Sequence, residues 1–489
     1  MENTVSVNGT SHQVKPEYDA LIIGAGFSGL RMIHECRQLG LSLKAFEAGP
    51  AVGGTCESWV YIMNFSKQLN DEWTWKERFP CQPEFHTRIQ SARWNDDTHF
   101  WTLETEFGKK HTCKYFIPAG GVLSASRRLP FLGVERFKGE WYQSSYWPRH
   151  SVSLKGKRVA VVGNYVIPAR NHLLSADQQE SIKENYAEIW AEAKNQSFGM
   201  SMTDSHTPMS GLSEAKIQRV LEGGWEAGGF RFVFETFGDL ISDRQSNDIA
   251  SEFVRNKIRS VVKDEKTAEK LCPKYGLFAK RPPLGHYYFE TFNRANVSLV
   301  DARTDPIKEV TEHGLCTESG EQYEFDTIIY AIGFDAGTGS LTSFDINGRN
   351  GENLGQKWAS HVETYLGMAM TNFPNMFAIA APQGPFANFP VVLDSQAPWV
   401  GKTISYMEKN NYKQVEPTQE AMAGWTKTVN DIYAMTILPE ATKDSNSYFI
   451  GANVPGKKIE PLFWFGGIVP YFQACEEEVH TGFPNFVKS

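Results

Sequence analysis

Residues 18–47 hold the feature that most restricts the fold. An apolar run, Ala20-Leu21-Ile22-Ile23, stops at Gly24-Ala25-Gly26-Phe27-Ser28-Gly29, and apolar residues then recur at helical spacing as Leu30, Ile33 and Leu39. A second apolar stretch, Leu41 to Phe46, ends in Glu47. A short buried run, glycine punctuation, a helical period and a second run read as strand, tight turn, helix, strand. Such a βαβ unit needs a parallel strand pair with the helix crossing over one face, which makes the fold class α/β.

The glycines of that turn match GxGxxG at the place where the pattern has physical meaning. Gly24 permits the turn, Gly26 lets the backbone approach a pyrophosphate, and Gly29 lets helix and strand pack closely. The amides and dipole of the helix N-terminus then hold the phosphates. Glu47 lies 23 residues after Gly24. A carboxylate there accepts hydrogen bonds from a ribose 2′-hydroxyl and repels a 2′-phosphate, favouring FAD or NAD over NADP at this site.

Composition excludes several other classes. At about 150 residues per domain, 489 residues make about three domain-sized units or two larger ones. Lys plus Arg number 49 against 57 Asp plus Glu, a net charge of −8, which argues against a nucleic-acid partner. Hydrophobic residues at 41% and aromatics at 13% supply a large core rather than a disordered chain. The 7 cysteines are scattered, odd in number and without CxxC, and the 12 histidines form no HExxH. Neither a disulfide framework nor a metal site is expected. The first residues show no apolar leader and no stretch is long enough to span a bilayer, so a cytoplasmic protein is expected.

Further along, residues 85–117 alternate as strands, Arg158 to Val162 reads as another strand, and 175–269 carry amphipathic helical spacing. Strand patterns resume at Val297-Ser298-Leu299-Val300 and at Thr327 to Ile332, with helices at roughly 397–410 and 418–434. Residues 1–17 read as a loose arm.

Several segments resemble the Baeyer–Villiger monooxygenases, most closely the fungal members of secondary metabolism. Val52-Gly53-Gly54-Thr55 resembles the family's extension beyond the glycine motif. Phe137-Lys138-Gly139-Glu140-Trp141-Tyr142-Gln143-Ser144-Ser145-Tyr146-Trp147-Pro148 fits the spacing of FxGxxxHxxxW(P/D), with Gln143 in the place of His. Ala119 to Pro130, Asp326 to Asp335, Phe278 to Arg281 and Ser447 to Lys457 resemble further family segments. The resemblance implies a flavoprotein with two dinucleotide-binding domains: a Rossmann-like FAD domain from 18–150 and 325–489, and a truncated NADPH domain at 151–324 with a helical insertion at about 175–270. It implies FAD and NADPH as cofactors, and a ketone and O₂ as substrates, giving an ester or lactone. A polyketide or other secondary-metabolite ketone, such as an anthraquinone of a mycotoxin pathway, is the expected substrate class. The resemblance places Gly24, Gly26, Gly29, Glu47, Gly54, Thr55, Tyr61 and Ile89 at the cofactor, Lys280 and Tyr448 on the NADPH side, and Arg281 at the reaction. A guanidinium stays charged at any working pH and offers rigid donors to a developing oxyanion.

The chain departs from the family in three places. The aromatic loop that follows the threonine is absent after Thr55, and the segment before Phe85 is short. After Arg158-Val159-Ala160-Val161-Val162-Gly163 the family has a second GxGxxG and its helix, whereas here Asn164-Tyr165-Val166-Ile167-Pro168 follows at once. Two further readings therefore stand beside the monooxygenase: a heteroatom hydroxylase or oxidase of the same fold, and an FAD-binding relic without catalysis.

Overall fold

The computed structural model describes residues 15–54, 83–162, 167–443 and 445–489. The chain begins with β1 (Tyr18–Ile23), α1 (Phe27–Gln38) and β2 (Leu43–Phe46), the expected βαβ unit. β3 (Ile89–Asn95), β4 (Phe100–Thr105) and β5 (Lys110–Pro118) follow. With β14 (Asp345–Asn347) they form a six-stranded sheet in the order β14-β3-β4-β5-β1-β2. β1 runs parallel to both β2 and β5, while β3, β4 and β5 form an antiparallel meander. Ala20, Leu21 and Ile22 are fully buried because β1 is covered on both faces, which is why its sequence is a continuous apolar run rather than an alternation. Burying a side chain of that size is worth about 1.5–3 kcal/mol.

A second, all-parallel sheet joins three distant segments in the order β6-β13-β7: β6 (Glu140–Gln143), β13 (Thr327–Tyr330) and β7 (Val159–Val162). It draws strands from both sides of the domain limits expected at 150/151 and 324/325. One face packs Ile328 and Tyr330 onto β10 (Ile307–Val310) and β11 (Gly314–Thr317) through Val310 and Leu315. On the opposite face Val161 is 65% exposed.

Helices fill 176–271, chiefly Ala176–Glu184, Tyr186–Lys194, Glu214–Ala227 and Arg244–Val261. Their own core, built around Leu221, Trp225, Phe232 and Phe253, also takes in Val391, Val392 and Ile468. The helix Phe389–Asn410 thus packs against the insertion on one side and against α1 on the other. It comes close to α1 at Gly401, where a Cβ would lie 3.0 Å from Glu35 Oε2.

Three expectations are corrected. Val297–Val300 alternates in burial but pairs with no strand among the described residues, and a lone extended segment forms no sheet. The helix expected from 397 begins at Phe389 and absorbs Pro398 internally; Pro390, in its first turn, is the helix-starting proline. The arm is not loose at its end, since Glu17 accepts from His111 Nδ1 at 2.8 Å and its amide donates to Thr112 Oγ1 at 2.9 Å.

Asp394 ties the insertion to the βαβ unit. Its carboxylate accepts from Lys194 Nζ at 2.6 Å and Trp190 Nε1 at 3.0 Å, and it pairs with Arg31 of α1 at 3.1 Å. Burial pushes this carboxyl up, but the bonds from Lys194 and Trp190, then the charges of Lys194 and Arg31, outweigh it and hold the carboxyl below its ordinary range. A carboxyl held low stabilises the fold fully above the usual carboxylate range and loses that contribution as pH falls through its lowered folded value. Asp394→Asn is therefore expected to cost about 1–3 kcal/mol at neutral pH. Urea unfolding checks this, and the gap between native and variant should shrink on acidification; a gap independent of pH would contradict the electrostatic account.

Candidate active site

The turn between β1 and α1 is held by glycines that leave no room for side chains. Gly24 sits at φ +100°, and a Cβ on it would lie 2.5 Å from Ala119 O; one on Gly29 would lie 1.8 Å from Gly24 O. α1 starts at Gly26 with no side-chain cap and no acidic residue in its first turn, so its terminal amides and positive dipole end are open to an anion. Gly53 N donates to Ala25 O at 2.9 Å, and this brings Gly54 to within 3.1 Å of Gly26 Cα, measured from a Cβ placed on Gly54. Two glycine turns therefore meet face to face at the helix end.

Glu47 serves the same turn. Its Oε2 accepts from Ala25 N and its Oε1 from Gly49 N, both at 2.7 Å. Each carboxylate oxygen has a second lone pair, so a ribose hydroxyl can still be bound. Gly24, Gly26, Gly29, Glu47 and Gly54 are thus brought together, and their chemistry fits a dinucleotide. Ile89 lies elsewhere: its side chain is buried in the core with Phe46 and Leu103, so it serves packing. Thr55 and Tyr61 lie outside the described residues.

Three segments far apart in sequence are stitched at the C-terminal end of β13. Arg127 Nη1 donates to Ile332 O at 3.0 Å, Asp335 N to Ala125 O at 2.9 Å, and Asn453 Nδ2 to Phe334 O at 2.8 Å, while Lys457 pairs with Asp335. The segments singled out at 119–130, 326–335 and 447–457 are therefore one structural unit. Arg127 and Asn453 bond backbone carbonyls and Lys457 a carboxylate distant in sequence, contacts that carry no sequence signature.

The 137–148 segment builds β6 and the turn after it. A Cβ on Gly139 would come 2.6 Å from both Asp326 O and the Phe137 ring, so this glycine lets β6 close onto the start of β13. Gln143, 8% exposed, pairs with Tyr330 across the sheet and donates from Nε2 to Arg127 O at 2.8 Å. The Trp147 ring packs 5.4 Å from that of Tyr142, and Pro148 follows it in the exposed turn region.

Arg281 emerges from the aromatic contact between the insertion and the C-terminal segment. Phe278, at φ +68°, is strained for a bulky residue and is held by the rings of Phe234, Phe386 and Phe449. The chain then passes from buried Ala279 to exposed Arg281, whose guanidinium lies 5.1 Å from the centre of the Phe230 ring. Burial pushes the Tyr448 phenol up, and the Arg281 charge pulls the other way. Lys280 is half-buried over the Tyr275 ring at 5.4 Å. Burial, then the charge of Arg303, lowers its pKa. The segment that carries Lys280 and Arg281 meets the segment that carries Tyr448 at the contact of the Phe278 and Phe449 rings, 6.2 Å apart. Among the described residues no acidic, histidine and cysteine side chains cluster as a metal site.

Among the described residues a second dinucleotide finds no equivalent cradle. β7 ends at Val162, and β8 (Ile167–Pro168) starts after only four residues, extended and paired with β9 (Leu284–Gly285). The residues present therefore do not fit the pyrophosphate of a second dinucleotide as α1 fits the first.

Comparison with known proteins gives these features a context. The NAD(P)-binding Rossmann-like domain family matches residues 22–88. A Baeyer–Villiger monooxygenase of Pseudooceanicola batsensis is 35% identical, covering 97% of each chain. A phenazine N-monooxygenase of Lysobacter antibioticus is 34% identical, again covering 97% of each. The crystal structure of a cyclohexanone monooxygenase from Rhodococcus sp. Phi1 bound to NADP+ superposes with a TM-score of 0.89 at 32% identity, covering 96% of this chain and 99% of that one. Fungal FAD-binding monooxygenases of Aspergillus aculeatus and Byssochlamys spectabilis are also among the relatives. An open helix end between two glycine turns, a 137–148 strand stitched to β13 and relatives matched along nearly their whole length agree: this chain is a flavin-dependent enzyme of the Baeyer–Villiger monooxygenase family.

Proposed function

We propose that the chain is an FAD- and NADPH-dependent monooxygenase that inserts one oxygen atom of O₂ beside the carbonyl of a ketone, giving an ester or lactone. The observation that carries this reading is the open N-terminus of α1, with Glu47 at its side and glycines where a cofactor backbone must approach. Residues 18–150 and 325–489 form the FAD unit, sharing the β6-β13-β7 sheet with a reduced nicotinamide unit at 151–324. The first amides of α1 bind the pyrophosphate of FAD, and Glu47 accepts from a ribose hydroxyl.

Bound FAD supplies the activation of O₂. The chain's own residues position the ketone, exclude water and stabilise negative charge as it develops on oxygen. Arg281 does the last, since a guanidinium offers rigid donors to an oxyanion. Phe278, three residues before Arg281, touches the rings of Phe386 and Phe449, and around Phe386 the rings of Tyr448, Phe449, Phe463 and Phe465 pack together. Such a wall suits a planar, apolar ketone such as a polyketide or anthraquinone, which it shields from water. Cys36, Cys113, Cys272 and Cys475 are buried free thiols, which suits the reducing cytoplasm.

Two expected outcomes test the roles. Arg281→Ala should lower ester formation by roughly 100–1000-fold at unchanged flavin content, and Arg281→Lys should recover only part. Because the side chain is exposed, the fold should survive; near-native turnover would remove Arg281 from the reaction. Gly29→Ala places a Cβ in Gly24 O, so the purified variant should carry at least ~10-fold less FAD per chain, read from its absorbance spectrum. Since one relative is a phenazine N-monooxygenase, oxygenation at a heteroatom is the second reading. Product analysis with a cyclic ketone against a thioether or aromatic amine separates the two.

A further inference from the structure

We infer that this chain has lost the site for the adenosine diphosphate half of its nicotinamide nucleotide and recognises only the nicotinamide half. This inference rests on the proposed function for the identity of the reductant.

Four observations carry it. First, a phosphate cradle at a strand end needs a helix starting there with its amides converging, and the chain allots four residues between Val162 and Ile167, both in strands. Those four residues cannot hold a helix long enough to matter. Second, the chain beyond them is extended and bonded elsewhere. Ile167 N donates to Pro283 O, Ala169 N to Gly285 O, and Pro168 has no amide hydrogen to offer.

Third, the next helix, Ala176–Glu184, has its N-terminus closed by its own residues. Ser175 Oγ accepts from Gln178 N at 3.2 Å and Gln178 Oε1 accepts from Ser175 N at 2.9 Å, and Asp177 in the first turn repels an anion. α1 shows the reverse arrangement in each respect, with a bare glycine start and no acid in its first turn. None of the residues of Ala176–Glu184 is buried, so this helix does not replace the cover missing from β7, where Val161 stands 65% exposed.

Fourth, arginines of this region that could take a 2′-phosphate are committed to carboxylates. Arg158 pairs with Glu324 and Asp326, Arg170 with Glu226, and Arg303 with Asp301. Lys280 makes no ion pair among the described residues and sits next to Arg281. Of these four cations, Lys280, next to Arg281, is the one without a carboxylate partner among the described residues.

A charge-assisted hydrogen bond to phosphate is worth about ten- to a hundredfold in affinity, so a helix end that supplies two of them contributes at least ~100-fold. Without it, the adenosine half should add almost nothing. The test is made on the full, FAD-loaded chain. 2′-Phospho-ADP-ribose, NADP+ and nicotinamide mononucleotide are titrated by calorimetry, and the flavin spectrum is followed during anaerobic addition of NADPH or of reduced nicotinamide mononucleotide. No saturable binding of 2′-phospho-ADP-ribose, with NADP+ and the mononucleotide both binding and within about tenfold of each other, is the expected result, and binding of neither overturns the claim that the nicotinamide half is recognised. Saturable binding of 2′-phospho-ADP-ribose, or a preference above about tenfold for NADP+ or NADPH over the matching mononucleotide, overturns the inference. The proposed function fails separately: protein that takes up no FAD, or flavin that after reduction by dithionite oxygenates no ketone in air, counts against that reading while the calorimetric comparison still decides this one.

Discussion

The approach of Gly29 to Gly24 is the constraint on which the site depends. A helix end can present its amides to a diphosphate only if nothing stands between the first turn and the strand that feeds it. Here the distance from a Cβ on Gly29 to Gly24 O would be 1.8 Å, and from a Cβ on Gly24 to Ala119 O 2.5 Å, so three backbone segments touch where other residues would hold them apart. That contact sets how β1, β5 and α1 meet. Glu47 adds to it from β2, because its carboxylate ties the turn at Ala25 to Gly49 before any ligand arrives. The acid is thus a structural clamp, and preorganisation of this kind lowers the entropy cost of binding at the turn.

From this cradle the fold builds outwards by side chain to backbone bonds rather than by a continuous sheet. The six-stranded sheet and the β6-β13-β7 sheet are separate, and what joins them at the site is the bonding of Arg127, Asn453 and Lys457 around residues 332–335. Arg127 is at the centre of this arrangement. Its guanidinium donates to Ile332 O while its own carbonyl accepts from Gln143 Nε2. A displacement of β6 would therefore be transmitted to the end of β13. The aromatic contact around Phe386 makes the corresponding join to the helical insertion, through Phe198 on one side and Phe449 on the other.

The local parts of this design were legible in the sequence. The apolar run before Gly24, the glycine spacing and Glu47 gave the βαβ unit because each is a short-range consequence of backbone geometry. The short connection after β7 was legible for the same reason, since four residues before β8 leave no room for a crossover helix there. Other features depended on partners distant in sequence. Val297–Val300 has a strand's alternation but pairs with no strand among the described residues, and Pro398 lies within a helix whose start at Phe389 is fixed by packing. Asp394 shows the difference most directly. As one acidic residue in an apolar helix it carries no signal, yet it meets Arg31 and Lys194 from elements 363 and 200 residues away.

Gln143 shows how a departure from a family pattern can be weighed physically. A histidine at that place could donate one hydrogen bond and could also titrate near neutral pH, whereas an amide can only donate and accept. In this chain the side chain is buried, and the bond it makes is to the backbone carbonyl of Arg127, an acceptor with no proton to exchange. The hydrogen-bonding part of the role is therefore filled, and a pH-dependent charge at this point is lost. A neutral amide also leaves the Arg127 guanidinium, itself half-buried and near Asp335, without a second cation beside it. The substitution thus removes titration while keeping the link from β6 to Arg127, and through Arg127 to Ile332.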